Sequence, residues 1–529
     1  MTELELRLAA LAPEVLTGLL RGIEKEGLRV DAEGLLSAAP HPAGLGSALA
    51  HPRITTDFSE SQLELITGVH ADIEGCLREL TELHQVVYRE IGDEMLWCAS
   101  MPCRLPEEER IPLARYGSSN LARMKTLYRE GLSRRYGRRM QTISGIHYNF
   151  SLPEAAWAPL RRADGDTGPE GAYRDARYFA LIRNFRRHSW LLLLLLGASP
   201  AVCGTFVAGR EHRLVPFGAG TLHSPGATSL RMGRMGYQSD AQASLKVSFN
   251  DLAGYARSLN GALTQPYPAY EAIGLRAGGE YRQLATTLLQ IENEFYGTIR
   301  PKRSIRPGER PLHALGRGGV EYVEVRLLDI DPFGPVGIDA DEIRLLDLFL
   351  LHCLLAPSPP DSPGELEAMA RNQRRVAEGG RDPAVRLERD GETVAPADWG
   401  GELLRRFEPI AAALDRAHGR GDHGAVLAAA QRALAEPAAL PSAHVLAAME
   451  EGHGKSFASF ALAQSRVHRE ALRALPLAPA RAAHYAALAA QSLEEQRRIE
   501  AADDVDFETY RRRYLEQDLL AGPHFRAPA

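Results

Sequence analysis

Apolar residues recur at helical spacing in some stretches of this chain and alternate with polar ones in others. From Ile73 to Ile91 the apolar positions are Ile73, Leu77, Leu80, Leu83, Val86 and Val87, one face of a 3.6-residue period, which predicts a helix. Leucines at helical spacing predict helix over 1–21, the basic stretch 121–138 predicts another, and 173–196 a long one. Residues 22–30 predict a strand closed by a turn at 31–34, and 57–66 a second extended piece. Residues 141–152 alternate through Ile143, Ile146, Tyr148 and Phe150 and predict a strand; 286–296 and 319–330 predict two more, separated by a basic loop. Residues 202–227, rich in Gly, Pro and His, read as loop. Beyond about Asp339 the chain becomes Ala/Leu/Arg/Glu-rich with helical period over 341–355 and 402–520, and the Pro- and Gly-rich gap at 357–401 holds one helical piece at 364–378. The sum is an α+β fold: a mostly antiparallel sheet within 1–350, and a mainly helical region 351–529 packed as part of the same domain.

Composition narrows this little. Of 529 residues 45% are hydrophobic and 25% charged, ordinary for a soluble globular chain, and the net charge of -6 gives no ground for nucleic-acid binding. The cysteines at 76, 98, 103, 203 and 353 are scattered without a Cys-x-x-Cys, so no disulfide framework is indicated and a reducing cytoplasm is expected. The first residues lack the basic region of a signal peptide. Residues 189–209 carry no charge, but Gly197, Ser199, Pro200 and Gly204 interrupt them, so a buried helix followed by a loop is expected instead of a membrane span. Only five basic residues are lysine (25, 125, 246, 302 and 455) against 57 arginines, and a position that keeps lysine in such a chain is a candidate for needing a compact point charge.

The candidate chemistry lies in four short blocks. Glu24 and Glu26 project from one strand face, and Asp57, Glu60 and Glu64 follow in the next block. Crowded carboxylates repel unless cations neutralise them; hard oxygen donors suit Mg²⁺ or Mn²⁺, and Mg²⁺ commonly accompanies a phosphate-bearing substrate. The competing reading is an exposed charged strand. His147 and Asn149 share one face with Tyr148 and Phe150 on the other, and Tyr322, Glu324 and Arg326 share a face opposed to Val323 and Val325. Alone, His147 reads as a core histidine and Glu324/Arg326 as a surface ion pair. Together the four blocks describe a sheet that buries one face and lines a cavity with the other. Lys125 and the basic run Ile299-Arg300-Pro301-Lys302-Arg303 offer cations for phosphate oxygens. No P-loop, dinucleotide fingerprint or Gly-x-Ser-x-Gly elbow is present, and Gly452-His453-Gly454-Lys455-Ser456 reads as the turn that starts a helix.

These residues sit in stretches that resemble glutamate–cysteine ligases of the proteobacterial type. The stretches include GIEKEGLRV (22–30), LGSALAHPRITTDFSESQLELIT (45–67), LARYGSSNLARMKTLYREGLSRRYGRRMQTISGIHYNFSLP (113–153), ATSLRMGRMGYQSDAQASLKVSFNDL (227–252), LQIENEFYGTIRPKR (289–303) and GGVEYVEVRLLDIDPFGPVGID (318–339). The resemblance implies a curved, mainly antiparallel sheet forming a glutamine synthetase-like cavity, with ATP and two or three Mg²⁺ or Mn²⁺ ions. The implied metal ligands are Glu24, Glu26, Asp57, Glu64, His147 and Glu324. Arg326 and Arg231 would face glutamate or the transferring phosphoryl group; Tyr128, Leu132, Gln141, Tyr237 and Tyr296, with Asn149, would bind substrate; Lys125, Lys302 and Arg303 would bind the ATP phosphates. The implied reaction forms γ-glutamylcysteine from L-glutamate and L-cysteine, the first step of glutathione synthesis, in a cytoplasmic monomer with glutathione as feedback inhibitor and no nucleic-acid or membrane partner. Residues 357–445 match poorly, anchored only at Arg371-Asn372 and Glu378-Gly379-Gly380, and 207–226 diverge too. Two rivals stand beside it: a ligase joining glutamate to another amine, and a non-catalytic metal-binding protein. Arg326, Tyr237 and the basic run argue against the second.

Overall fold

The alternating stretch around Glu24 forms the middle of a seven-stranded antiparallel sheet in a computed structural model that describes residues 1–236, 240–243, 245–306 and 308–525. In chain order the strands are β1 Leu20–Val30, β2 Ile54–Thr56, β3 Gln62–Ile66, β4 Met95–Leu96, β5 Ile146–Ser151, β6 Ala201–Cys203, β7 Val215–Gly218, β8 Thr221–His223, β9 Arg276–Ala277, β10 Glu280–Tyr281, β11 Ile299–Lys302, β12 Tyr322–Leu328, β13 Leu387–Arg389 and β14 Glu392–Val394. The large sheet runs β11-β12-β5-β1-β3-β2, with β4 also paired to β1. Its register sets Glu24 opposite His147, Glu26 opposite Glu64, and Glu324 opposite both Asn149 and Arg300. The intervening residues Ile23, Tyr148, Phe150, Val323 and Val325 point the other way and are buried. They join a hydrophobic core with the helices Ile73–Glu90, Glu170–Leu196 and Ala340–Leu355. Each such side chain contributes about 1.5–3 kcal/mol of burial, so a one-residue slip, which would also bury the carboxylates, is strongly disfavoured.

Local signals fix these helices. Asp72 caps Ile73–Glu90 by accepting from the Gly75 N–H at 2.6 Å, and Asp339 with Glu342 forms a capping box on Ala340–Leu355. The terminal carbonyls of Ala340–Leu355 would be orphaned in the core. Arg7 donates to Leu355 O at 2.8 Å, Asn184 to Cys353 O at 2.9 Å, and Arg177 to Leu354 O. Behind the sheet, Arg21 and the Tyr148 hydroxyl both bond Asp347, at 2.9 and 2.8 Å, tying β1 and β5 to that helix. The uncharged stretch after Arg187 ends the Glu170–Leu196 helix inside the core, and among the described residues no helix is long and apolar enough to cross a membrane.

Several sequence expectations are corrected. Residues 57–66 are not one extended piece but the turn and second strand of the β2–β3 hairpin. Residues 286–296 form a loop with a 3-10 turn at Glu292–Glu294, because those carboxylates bond Arg310 (2.7 Å) and Arg135 (2.9 Å). The strand lies at β11, where a basic loop was expected; an edge strand tolerates Pro301. Residues 202–227 are not loop throughout: β6, β8 and β7 form a small sheet, and Gly220, at φ +73, makes its tight turn. The strand expected over 141–152 begins only at Ile146, after a helical turn at Arg138–Gln141. The 1–21 helix is two, Glu3–Ala9 and Pro13–Thr17, and the 357–401 gap also holds the β13–β14 hairpin. Cys103 and Cys203, 100 residues apart, are joined as a disulfide with Cα atoms 5.1 Å apart, against the expectation of none; separation of that length leaves no local spacing to read.

His352 lies between the rings of Phe407 and His188, and neither of its nitrogens has a hydrogen-bond partner among the described residues. Burial pushes its pKa down to about 4. The folded state therefore binds fewer protons than the unfolded state, and the contribution to stability is whole above about pH 6.5 and lost as pH falls toward 4. His352→Phe is expected to gain about 2 kcal/mol of unfolding free energy at pH 5 relative to its effect at pH 7.5. Urea melts at both pH values check this; an equal effect at the two would contradict it.

Candidate active site

The polar face of the sheet gathers carboxylates around one imidazole. His147 Nδ1 lies 3.4 Å from Glu24 Oε2 and 3.8 Å from Glu324 Oε1, and its Nε2 lies 3.6 Å from Glu26 Oε1. Among the described residues, Glu24, Glu64 and His147 each offer one ligand atom such that all three fall within 4.8 Å of one another. Asn149 Nδ2 donates to Glu24 Oε1 at 2.8 Å, and the Gly145 N–H donates to Glu26 Oε2 at 2.9 Å. Glu324 Oε1 accepts from Arg326 at 3.0 Å and Lys302 at 3.3 Å, while its Oε2 is buried with no hydrogen bond among the described residues.

The carboxyls divide into two kinds. Burial pushes against ionisation of Glu324, but Lys302 and Arg326 outweigh it and hold the group well below the usual carboxylate range. At Glu24 burial is likewise overcome, chiefly by the hydrogen bond to His147, and the pKa is lowered. Glu26 is pushed up to about 8 by burial and then by Asp57, and Glu64 is raised well above its ordinary value by burial and by Glu24, Asp57 and Glu26. Burial and Arg326 lower His147, so its neutral imidazole has a lone pair to offer. Lys302 is raised because Glu324 and Glu24 outweigh its burial; burial and Arg129 bring Lys125 down to about 8.

A cavity of about 360 Å³ opens beside His147, Arg231, Arg326 and Tyr296. Arg231 is buried and donates from Nη2 to the Arg326 carbonyl at 3.0 Å. Gln141 donates to the Tyr296 hydroxyl at 2.7 Å, and Tyr296 packs edge-on to Tyr136. Tyr128 and Leu132 sit on the Asn120–Tyr136 helix, and neither lines this cavity. Lys125 stands 5.1 Å from the Tyr116 ring on the Asp57 side, where Arg129 donates to the Asp57 carbonyl. Tyr237 lies outside the described residues.

Two of the expected site residues also make structural contacts. Arg303 donates from Nη1 to the carbonyls of Gly318 (2.5 Å) and Gly319 (3.0 Å), so it also braces the approach to β12. Asn149 holds Glu24 in place through its Nδ2. Of the lysines, Lys125 and Lys302 reach the site; Lys25 is buried behind the sheet, 2.8 Å from His84, and Lys246 and Lys455 pair with Glu367 and Glu450. Sequence reasoning named Arg300, opposite Glu324, only as part of a basic run and missed Arg129, one turn from Lys125, whose helix position was the available signal. It also missed Arg186 and Arg374, which line the cavity from helices with no motif to mark them.

The sequence model of the family described as glutamate-cysteine ligase matches residues 7–376. A protein of Pseudomonas paraeruginosa named glutamate–cysteine ligase is 51% identical over 496 residues, 94% of each chain. One of Azotobacter vinelandii with the same name is 50% identical, covering 96% of this chain and 98% of its own. The crystal structure of glutamate–cysteine ligase from Francisella tularensis in complex with AMP superposes with a TM-score of 0.89 at 35% identity, covering 94% of this chain and 98% of that one. A bifunctional glutathione synthetase from Pasteurella multocida gives 0.69 at 26% identity, with 89% of this chain matched to 55% of that one. With matches of this extent laid over a carboxylate and imidazole face flanked by arginines, the chain belongs to the glutamate–cysteine ligase family.

Proposed function

We propose that this protein joins the γ-carboxylate of L-glutamate to the amine of L-cysteine, converting ATP to ADP and phosphate through a γ-glutamyl phosphate. The observation that carries this is the one-sided face on which Glu24, Glu26, Glu64, Glu324 and His147 meet Arg326 and Lys302. A carboxylate resists attack by an amine, and phosphorylation supplies the missing leaving group. No protein nucleophile is needed; the residues position reactants and balance charge. Arg326 and Arg231 line the cavity where the phosphoryl group would be transferred, with Lys302 at its sheet side. The Gln141–Tyr296 pair, with Tyr128 and Leu132, is assigned to cysteine. AMP in the Francisella enzyme supports nucleotide use.

The donor set fits Mg²⁺ or Mn²⁺: hard carboxylate oxygens, one neutral imidazole, and a buried Glu324 oxygen without a partner among the described residues. Glu24, Glu26, Asp57, Glu64, His147 and Glu324 would hold two or three such ions. Bound there, the ions supply charge neutralisation and polarisation of phosphate oxygens. The same proposal takes in a curved, glutamine synthetase-like cavity, a monomer, and glutathione as an inhibitor competing with glutamate. It also places residues 351–529 in one domain with 1–350, supported by a hydrophobic cluster that takes in residues from Leu4 to Phe525.

The test is ADP release with glutamate and cysteine added separately and together. Release that needs both is expected; release with glutamate and only some other amine would move the assignment to a related ligase. Discrimination by pocket shape alone is limited, so 2-aminobutyrate, close to cysteine in size, is expected to react with kcat/KM within roughly 100-fold of cysteine. A coupled assay finding no product from it would refute selection by shape.

A further inference from the structure

One face of the Pro363–Gly379 helix roofs the cavity. Leu366, Met369, Ala370, Gln373 and Arg374 all line it, the i, i+3, i+4, i+7, i+8 stripe of a single helical face. This helix lies where the sequence resemblance is weakest, yet it closes the same space as His147, Arg231 and Arg326. Two arginines enter from this side. Arg186, on the Glu170–Leu196 helix, lies 4.5 Å over the Phe249 ring and 3.3 Å from Asp361, so its charge is met. Arg374 has no such match: its Nε is shut off from solvent without a hydrogen bond, and no ion pair or hydrogen bond engages the side chain among the described residues.

A buried guanidinium Nε without an acceptor is costly, and a carboxylate fits the planar fork with two parallel hydrogen bonds. Resting on the ligase reading above, we propose that Arg374 binds the α-carboxylate of the glutamate substrate. The γ-carboxylate of glutamate must lie at the carboxylate and imidazole face, where the phosphoryl group arrives. Glutamate's other end, carrying a second negative charge, then extends away from the sheet into the cavity toward the helix roof. Cysteine approaches from the Gln141–Tyr296 side. Arg326 is engaged with Glu324, and Arg231 with the Arg326 carbonyl, which leaves Arg374 as the cavity cation with the least competition for its charge.

Arg374→Gln is the test, in the full-length enzyme with Mg²⁺ and ATP. KM for glutamate is expected to rise roughly 10- to 100-fold, with kcat within about threefold of wild type and KM for cysteine nearly unchanged. Isoglutamine, which keeps the γ-carboxylate and replaces the α-carboxylate with an amide, gives the chemical readout. Wild type is expected to prefer glutamate to isoglutamine strongly, and Arg374→Gln to lose most of that preference; Arg374→Lys is expected to restore part of it. A merely structural role would depress both donors alike. Unchanged KM for glutamate, or an effect falling on cysteine instead, would overturn the proposal. ADP release by the wild type that does not need both amino acids would instead refute the ligase reading beneath it.

Discussion

Glu24→Gln is expected to lower kcat by roughly 10³-fold while leaving the fold intact. The amide is nearly isosteric and can still accept from Asn149, now 2.8 Å from Glu24 Oε1. What it removes is the negative charge facing His147 and the oxygen that with Glu64 and His147 completes a three-residue ligand set. Glu60 provides the contrast. It lies in the same acidic block as Asp57 and Glu64, but its two oxygens accept the backbone N–H groups of His41 (2.9 Å) and Arg115 (2.8 Å). Glu60→Gln is therefore expected to cost stability and leave kcat within about threefold of wild type. Bound Mn²⁺ per chain, measured by electron paramagnetic resonance, is expected to fall in Glu24→Gln and to hold in Glu60→Gln. Equal kinetic effects of the two substitutions would mean that acidity of the block, and not the ligand face, is what matters.

What separates these two glutamates also marks where the sequence was legible. Alternation is a property of the backbone, so the face shared by Glu24 and Glu26, by His147 and Asn149, and by Glu324 and Arg326 could be read before any strand was paired. Pairing itself could not. That Glu24 meets His147 and that Glu324 meets Arg300 are consequences of register between strands more than 100 residues apart in the first case and of an edge strand disguised by Pro301 in the second. The strand expected at 286–296 failed for a related reason: Glu292 and Glu294 are consumed by distant arginines, which no local pattern reveals. The charge of Arg303 is visible in sequence, whereas the two glycine carbonyls it serves are not. The helical face ending at Arg374 was hidden most completely. Its period was readable, but a half-polar stripe becomes a cavity roof only once it is laid against the sheet.

Gly145→Ala is expected to lower kcat by roughly 10²-fold although the residue carries no side chain. Its N–H donates to Glu26 Oε2 at 2.9 Å and its carbonyl accepts the Glu26 N–H at 3.1 Å, so it fixes that carboxylate from both sides. A Cβ at this position would overlap Nη2, Cζ and Nε of Arg231. Arg231 is buried and bonded through Nη2 to the Arg326 carbonyl, so its guanidinium has little room to retreat. The added methyl must displace either the arginine from the cavity wall or the start of β5 from Glu26, and overpacking of this kind costs about 1–3 kcal/mol of stability. The double mutant separates the two routes. If Gly145→Ala acts by expelling Arg231, adding it to Arg231→Gln is expected to change kcat by no more than about threefold, because the clash is already gone. Multiplicative losses would instead place the damage at Glu26, and full activity in Gly145→Ala would show that the arginine is not needed where it stands.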